Sequence, residues 1–128
     1  MLDTNIISDM VRNPRGRAAQ RAREVQDELC TSVIVASELR YGCTKKSSPP
    51  LLRRVNDILD EIGVVAFDVP ADTEYGRIRS ELEAAGQPIG SNDLFIAAHA
   101  SSMNVTLVTG NAREFCRIRD LKIENWLE

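Results

Sequence analysis

Cysteine, histidine, aromatic residues and long apolar runs are all scarce in this chain. The three cysteines, Cys30, Cys43 and Cys116, are odd in number and far apart, with no C-x-x-C pair and a single histidine beside them. That inventory excludes a zinc site and a disulfide framework, and the thiols read as free in a reducing compartment. One histidine, His99, gives no basis for a histidine-driven acid–base mechanism, and its place on an Ala-rich segment makes it a core or surface residue. Aromatic residues make up 5% of the chain, so few side chains can stack on bases, and shape with backbone contacts is expected to dominate any nucleic-acid recognition. No apolar run approaches the roughly 20 residues of a membrane span, and no signal-peptide pattern opens the chain. The expectation is a soluble, cytoplasmic protein. The G-x-S-x-G, G-x-x-x-x-G-K-[ST] and G-x-G-x-x-G patterns are also missing, which removes the cheapest support for hydrolase, nucleotide-hydrolase and dinucleotide readings.

What is present fits one domain spanning residues 1–128, with 43% apolar and 27% charged residues. A chain of this size hides roughly two-thirds of its unfolded surface on folding, enough for a core without staples. Turn-forming residues at Asn13-Pro14, Lys45 to Pro50 and Gly86 to Gly90 divide it into short periodic blocks. Helices are predicted from about Asn5 to Arg12, Gly16 to Leu29, Ala36 to Gly42, Leu51 to Ile62, Asp72 to Ala85, Asn92 to Ser102 and Ala112 to Ile118. Ile34, Leu39, Tyr41, Leu94, Ile96 and Ala97 are candidate core residues. Short strands are predicted at a stub before Asp3, at Thr31 to Val35, Val64 to Phe67, Thr106 to Val108 and Ile123 to Trp126. Alternating strands and helices, with strands too apolar to have a wet face, predict an α/β fold: a three-layer α/β/α sandwich around a central, mainly parallel sheet.

In such sheets the functional crevice lies beyond the carboxyl ends of the strands. Asp3 follows the first strand stub, Glu38 follows Thr31 to Val35, Asn111 follows Thr106 to Val108, and Asp93 opens a helix after the Gly86 to Gly90 loop. Three carboxylates crowded together need a counter-charge, and oxygen ligands without clustered His or Cys select Mg²⁺ or Mn²⁺. A hydrated divalent ion among carboxylates is apparatus for phosphodiester hydrolysis. The plainer alternatives are that Asp3 and Asp93 are helix caps and that Glu38 pairs with Arg40.

L-D-T-N at Leu2 to Asn5, S-E-L-R-Y-G at Ser37 to Gly42, P-I-G-S-N-D-L-F-I-A-A-H-A at Pro88 to Ala100, T-L-V-T-G-N-A-R-E-F at Thr106 to Phe115 and E-N-W-L at Glu124 to Leu127 resemble the PIN-domain ribonucleases, in particular the VapC-type toxins of bacterial toxin–antitoxin pairs. The resemblance covers essentially the whole chain. It implies a Mg²⁺- or Mn²⁺-dependent endoribonuclease that cuts RNA, often a tRNA loop, that forms a homodimer, and that a VapB-type antitoxin neutralises in a higher hetero-oligomer touching DNA through the antitoxin. By position, Asp3, Glu38 and Asp93 match the family's three central acids as metal ligands, Asn5 supports the first acid, and Thr109 matches a small polar residue near the site. Asn111 stands where many members carry a fourth acid; Glu114, one turn on, is the candidate substitute, and one well-held metal is expected. The family also has a few more residues ahead of L-D-T-N, so the first strand is expected to be very short. The implied chemistry is hydrolysis by a metal-activated water, leaving 5′-phosphate and 3′-hydroxyl ends. Asn111 keeps open a rival reading, a PIN-like binding module with weak or lost cleavage that works in a DNA-binding toxin–antitoxin complex. A phosphoacceptor domain would need a lysine near the acids, and the chain's lysines are Lys45, Lys46 and Lys122.

The net charge of −3 at first argues against nucleic acid. Setting aside the three clustered acids leaves 16 basic against 16 acidic residues, and most of the basic ones are arginine, the better phosphate fork. Arg12, Arg15, Arg17, Arg21 and Arg23 fall in one stretch, the first candidate for an RNA or antitoxin contact; the plainer alternative is a solvated helix face.

Overall fold

The computed structural model describes residues 1–128. Its sheet is built from minimal strands. Residues β1 (Thr31–Ser32) and β2 (Val64–Val65) form one parallel pair, and β3 (Leu107–Val108) and β4 (Ile123–Glu124) form another. Leu2 lies between them as a single-residue parallel bridge to both Thr31 and Val108. Its flanks hydrogen-bond on either side: Leu2 N–H donates to Cys30 C=O and Asp3 N–H to Val108 C=O, both at 2.9 Å. Across the molecule the order is therefore β2, β1, Leu2, β3, β4, with the chain winding outward first one way from Leu2 and then the other. The reversal between Leu2 and β3 is a topological switch point, where an open parallel sheet leaves a crevice at its carboxyl edge.

Seven helices surround this sheet: α1 (Thr4–Arg12), α2 (Arg17–Glu24), α3 (Val33–Lys46), α4 (Pro49–Ile62), α5 (Ala71–Ala84), α6 (Ser91–Ser102) and α7 (Ala112–Phe115). Helices α1, α2, α3 and α4 pack among themselves, and α5 lies along α6. The core joins Leu2, Ile6, Ile7, Val35, Ile96, Leu107 and Phe115, each fully buried. Helix α2 presents Ala18, Ala19 and Ala22 inward, small residues that let it approach closely while its arginines point to water.

Several sequence expectations change here. The β-branched run Thr31 to Val35 is strand only as far as Ser32, because the Ser32 Oγ accepts the Ile34 N–H at 3.1 Å and caps α3. That cap outweighs the strand preference of Val33, Ile34 and Val35. Helix α3 then runs through Gly42 to Lys46, two lysines facing its carboxyl end where the helix dipole favours cations. Ser48 caps α4, and Pro49 and Pro50 occupy its first turn, where a missing N–H is harmless. The expected Lys45 to Pro50 loop thus shrinks to Ser47 and Ser48. The single helix expected from Gly16 to Leu29 breaks at Val25 into α2 and a 3-10 turn at Gln26–Glu28. The strands expected at Val64 to Phe67 and Ile123 to Trp126 are two residues each, and the helix expected to reach Ile118 ends at Phe115. Tyr41, expected in the core, is 67% exposed. No helix is long and apolar enough to cross a membrane.

Candidate active site

The crevice beyond Leu2 and β3 is an open depression of about 390 Å³ lined by Asp3, Thr4, Asn5, Ser8, Arg12, Glu38, Asp93 and Asn111, without one apolar residue. The three acids singled out in the sequence reach it from three elements. Asp3 sits between the Leu2 bridge and α1, Glu38 projects from the second turn of α3, and Asp93 stands in the first turn of α6.

Asp3 is 3% exposed and is held from several sides. Its Oδ1 accepts the Thr4 N–H at 2.7 Å, and its Oδ2 accepts the Thr109 hydroxyl at 2.7 Å and, more weakly, the Asn5 side-chain amide at 3.5 Å. Thr109, fully buried, also accepts the Asn111 N–H at 2.9 Å. Asn5 Oδ1 accepts the Gly110 N–H at 2.8 Å, tying the start of α1 to the loop after β3. A Cβ at Gly110 would meet the tip of the Leu127 side chain at 2.6 Å but Asn5 only at an ordinary 3.5 Å, so it is the packing of Leu127 over this loop that the glycine accommodates. Asp3 is thus the N-cap of α1, as the plainer reading had it, and also a wall of the depression.

Glu38 does not pair with Arg40, whose guanidinium donates to the Asn56 side chain at 2.6 Å. Instead the Thr4 hydroxyl donates to Glu38 Oε1 at 2.6 Å, and the Asn92 amide to Oε2 at 3.4 Å. Thr4, Ser8 and Asn92 were missed as site residues by sequence reasoning. Thr4 lies inside L-D-T-N and Asn92 directly precedes Asp93, so both stood within the motifs without a chemical feature to mark them. Asp93 is no cap: Gly90 holds that position, and without a side-chain bond. Asn111 lines the depression, whereas Glu114 stands back from it and acts on Asp93 through its charge.

The electrostatics are those of uncompensated negative charge. Burial raises the Asp3 carboxyl above the ordinary aspartate value against the pull of its Thr109 and Thr4 hydrogen bonds, with Glu38 adding to the rise. Asp93 is pushed up to about 6, first by burial and then by the charges of Asp3, Glu114 and Glu38. None of the chain's ion pairs involves these acids. Arg12 reaches the rim without bonding to any of them. The donors are all oxygen, which suits Mg²⁺ or Mn²⁺. The acids are not drawn into a three-ligand cage of His, Cys, Asp or Glu, and Mg²⁺ dehydrates reluctantly and binds through one or two carboxylates with waters completing its shell. The residues present fit such an ion.

His99 lies outside this site. It is 2% exposed, its Nδ1 is 2.8 Å from the Ser32 Oγ, and Phe67 meets its ring edge-on at 5.3 Å. Burial lowers its pKa. It is a core histidine that joins α6 to the start of α3.

A family profile described as PIN domain matches residues 1–121. The chain is 37% identical to the tRNA(fMet)-specific endonuclease VapC of Shigella flexneri over 127 residues, covering 98% of this chain and 96% of that protein. In structure it is similar to VapBC2 from Rickettsia felis bound to a DNA fragment from their promoter, with a TM-score of 0.92 and 35% identity over 98% of this chain and 97% of the other. It is also similar to DNA-bound VapBC from Salmonella typhimurium, with a TM-score of 0.89 and 36% identity over 98% and 96% of the two chains.

Proposed function

This chain belongs to the PIN-domain family as a VapC ribonuclease toxin of a toxin–antitoxin pair, and from that membership we propose that it cuts tRNA at the depression formed by Asp3, Glu38 and Asp93. The observation that carries this reading is the meeting of three carboxylates from distant segments in one polar depression with no basic partner, Asp93 being raised to about 6. A Mg²⁺ or Mn²⁺ ion held by these three residues, directly or through water, would supply an activated water and neutralise charge on the scissile phosphate. The chain's own groups prepare that place. Thr109 and Asn5 fix the Asp3 carboxylate, Thr4 fixes Glu38, and Asp93 faces them without a protein donor of its own. With the 2′-hydroxyl taking no part, attack of water on phosphorus and breakage of the P–O3′ bond would leave 5′-phosphate and 3′-hydroxyl ends.

The tRNA substrate is supported by the relative named as a tRNA(fMet)-specific endonuclease, which makes initiator tRNA the first to try. The two DNA-bound VapBC structures support an antitoxin partner that brings the complex to DNA. We read the free chain as a cytoplasmic homodimer that joins a VapB-type antitoxin in a larger hetero-oligomer. We also read the α1–α4 group and the α5–α6 pair as the outer layers of a three-layer α/β/α sandwich. The test is purified protein freed of antitoxin, incubated with a tRNA pool in Mg²⁺ and in EDTA. Cleavage in Mg²⁺ that EDTA abolishes, with 5′-phosphate ends, is expected, and Asp3→Asn, Glu38→Gln and Asp93→Asn each remove most of it while folding persists. Products bearing 2′,3′-cyclic phosphate, or activity undiminished by EDTA, would overturn the mechanism.

A further inference from the structure

Beside the acid depression lies a second and larger one. It is an open groove of about 640 Å³ between the α1–α2 turn and the last residues of the chain, bordered by Arg12, Arg15 and Arg17 with Trp126 and Leu127 as its apolar side. Arg12 lines both depressions, so the groove and the site adjoin at this side chain. Resting on the nuclease reading above, we infer that this groove binds the phosphate backbone of the RNA strand as it leaves the acid site.

The structure divides the five clustered arginines. Arg21 is committed to Glu24 at 3.0 Å and lies 6.0 Å from the Trp126 ring centre, and Arg23 donates to the Pro14 carbonyl at 3.1 Å. Arg12, Arg15 and Arg17 are exposed, and their guanidinium groups have neither an ion pair nor a hydrogen bond within the chain. The acid in the groove wall is Asp9, whose Oδ1 already accepts the Asn13 side-chain amide at 2.9 Å. Three free guanidinium forks against one occupied carboxylate make a site for an anion, and bidentate donors match phosphate oxygens. The charge sequence favours a polyanion over a peptide. A nucleic-acid backbone can run from the arginines to acids neutralised by a bound cation, whereas an acidic peptide suited to the arginines would meet like charge at Asp3, Glu38 and Asp93. Leu127, 41% exposed, offers an apolar surface to a sugar or base beside that backbone.

The probe is a 5′-fluorescein-labelled 12-nucleotide oligouridylate, its binding followed by anisotropy in Mg²⁺ across a series of KCl concentrations. The protein carries Asp93→Asn so that cleavage does not intrude. Each phosphate contact on a single strand contributes about 0.7 to the slope of log affinity against log salt. Adding Arg15→Gln and Arg17→Gln is therefore expected to flatten the slope by about 1.4 and to weaken binding at least tenfold at low salt. Arg15→Lys with Arg17→Lys is expected to keep most of the slope. Arg53→Gln with Arg54→Gln on the exposed face of α4 makes the same change in net charge and is expected to leave the slope alone. Equal slopes in the Arg15/Arg17 glutamine variant and its parent, or an equal loss in the Arg53/Arg54 control, overturn the proposal. Equal slopes together with weakened inhibition by the antitoxin would assign the groove to the protein partner instead. A wild-type chain that fails to cut tRNA would sink the nuclease reading without changing these slopes, so the two failures are distinguishable.

Discussion

Asp93 carries the least protein support of the three acids and the clearest electrostatic signature. Its folded-state pKa of about 6 lies above the ordinary value of 3.8, so the folded chain holds this proton more tightly than the unfolded chain. Such a group stabilises the fold below its unfolded pKa, and that contribution is lost as pH rises through the folded value. Metal-free protein is therefore expected to lose thermal stability through this group as pH rises from about 4 to about 7. Asp93→Asn should melt higher than wild type at pH near 8 in EDTA, with the gap closing toward pH near 4. Thermal melts across pH check this, and a gap of the same size at both ends would show that the stabilisation does not come from relieving the charge. On the proposed reading the same substitution removes a metal ligand, so here function is held at the expense of stability. Asp3 shifts in the same direction, raised first by burial, but its hydrogen bonds from Thr109 and Thr4 work against that rise. The types of these residues and their motifs were readable directly. That Thr4 orients Glu38, and that Arg40 turns away to Asn56, was not, because both depend on how α1, α3 and α4 cross.

Ser32 decides more of the architecture than the apolar residues around it. It ends β1, caps α3 by accepting the Ile34 N–H, and meets His99 of α6 through the same oxygen. Ser32→Ala is expected to lower stability by about 1–3 kcal/mol, from the lost cap and the unpartnered His99 nitrogen. Urea unfolding measures it, and an unchanged midpoint would mean that neither bond contributes. The strand expected over Thr31 to Val35 failed at this residue for a physical reason: β-branched side chains favour a strand locally, but a serine poised to cap starts a helix once the next segment can bury Val35, Ala36 and Leu39. The helix of residues 51 to 62 was legible almost to the residue, because its apolar spacing and terminal Gly63 act within the segment itself. Two-residue strands hold no such periodicity. Their pairing is visible only where Leu2 bridges Thr31 and Val108.

For the whole molecule, negative charge is concentrated where the sheet reverses its winding, and free positive charge lies along the neighbouring groove. A divalent ion that binds the folded chain and not the unfolded one stabilises it by mass action. With a dissociation constant of about 1 mM, 10 mM Mg²⁺ contributes about 1.4 kcal/mol, a rise in melting temperature of a few degrees for a chain of this size. Differential scanning fluorimetry is expected to show that rise in wild type and to lose most of it in Asp3→Asn. An equal shift in both would place the bound ion elsewhere. The net charge of −3 is thus a poor guide to the partner, since it averages an acid site with an arginine rim.

Composition, motif order and helical periodicity are properties of neighbouring residues, and they sufficed for the family and for singling out Asp3, Glu38 and Asp93, the acids that line one depression. The sequence also placed five arginines in one stretch. Which three of them are free, that Thr4 and Thr109 hold the acids, and that Arg12 joins two depressions were decided by the tertiary structure alone. Those facts follow from contacts across 34 and 106 residues of chain, as in the Thr4–Glu38 and Thr109–Asp3 bonds. No local pattern encodes such contacts, because they exist only once the parallel pairs close on Leu2.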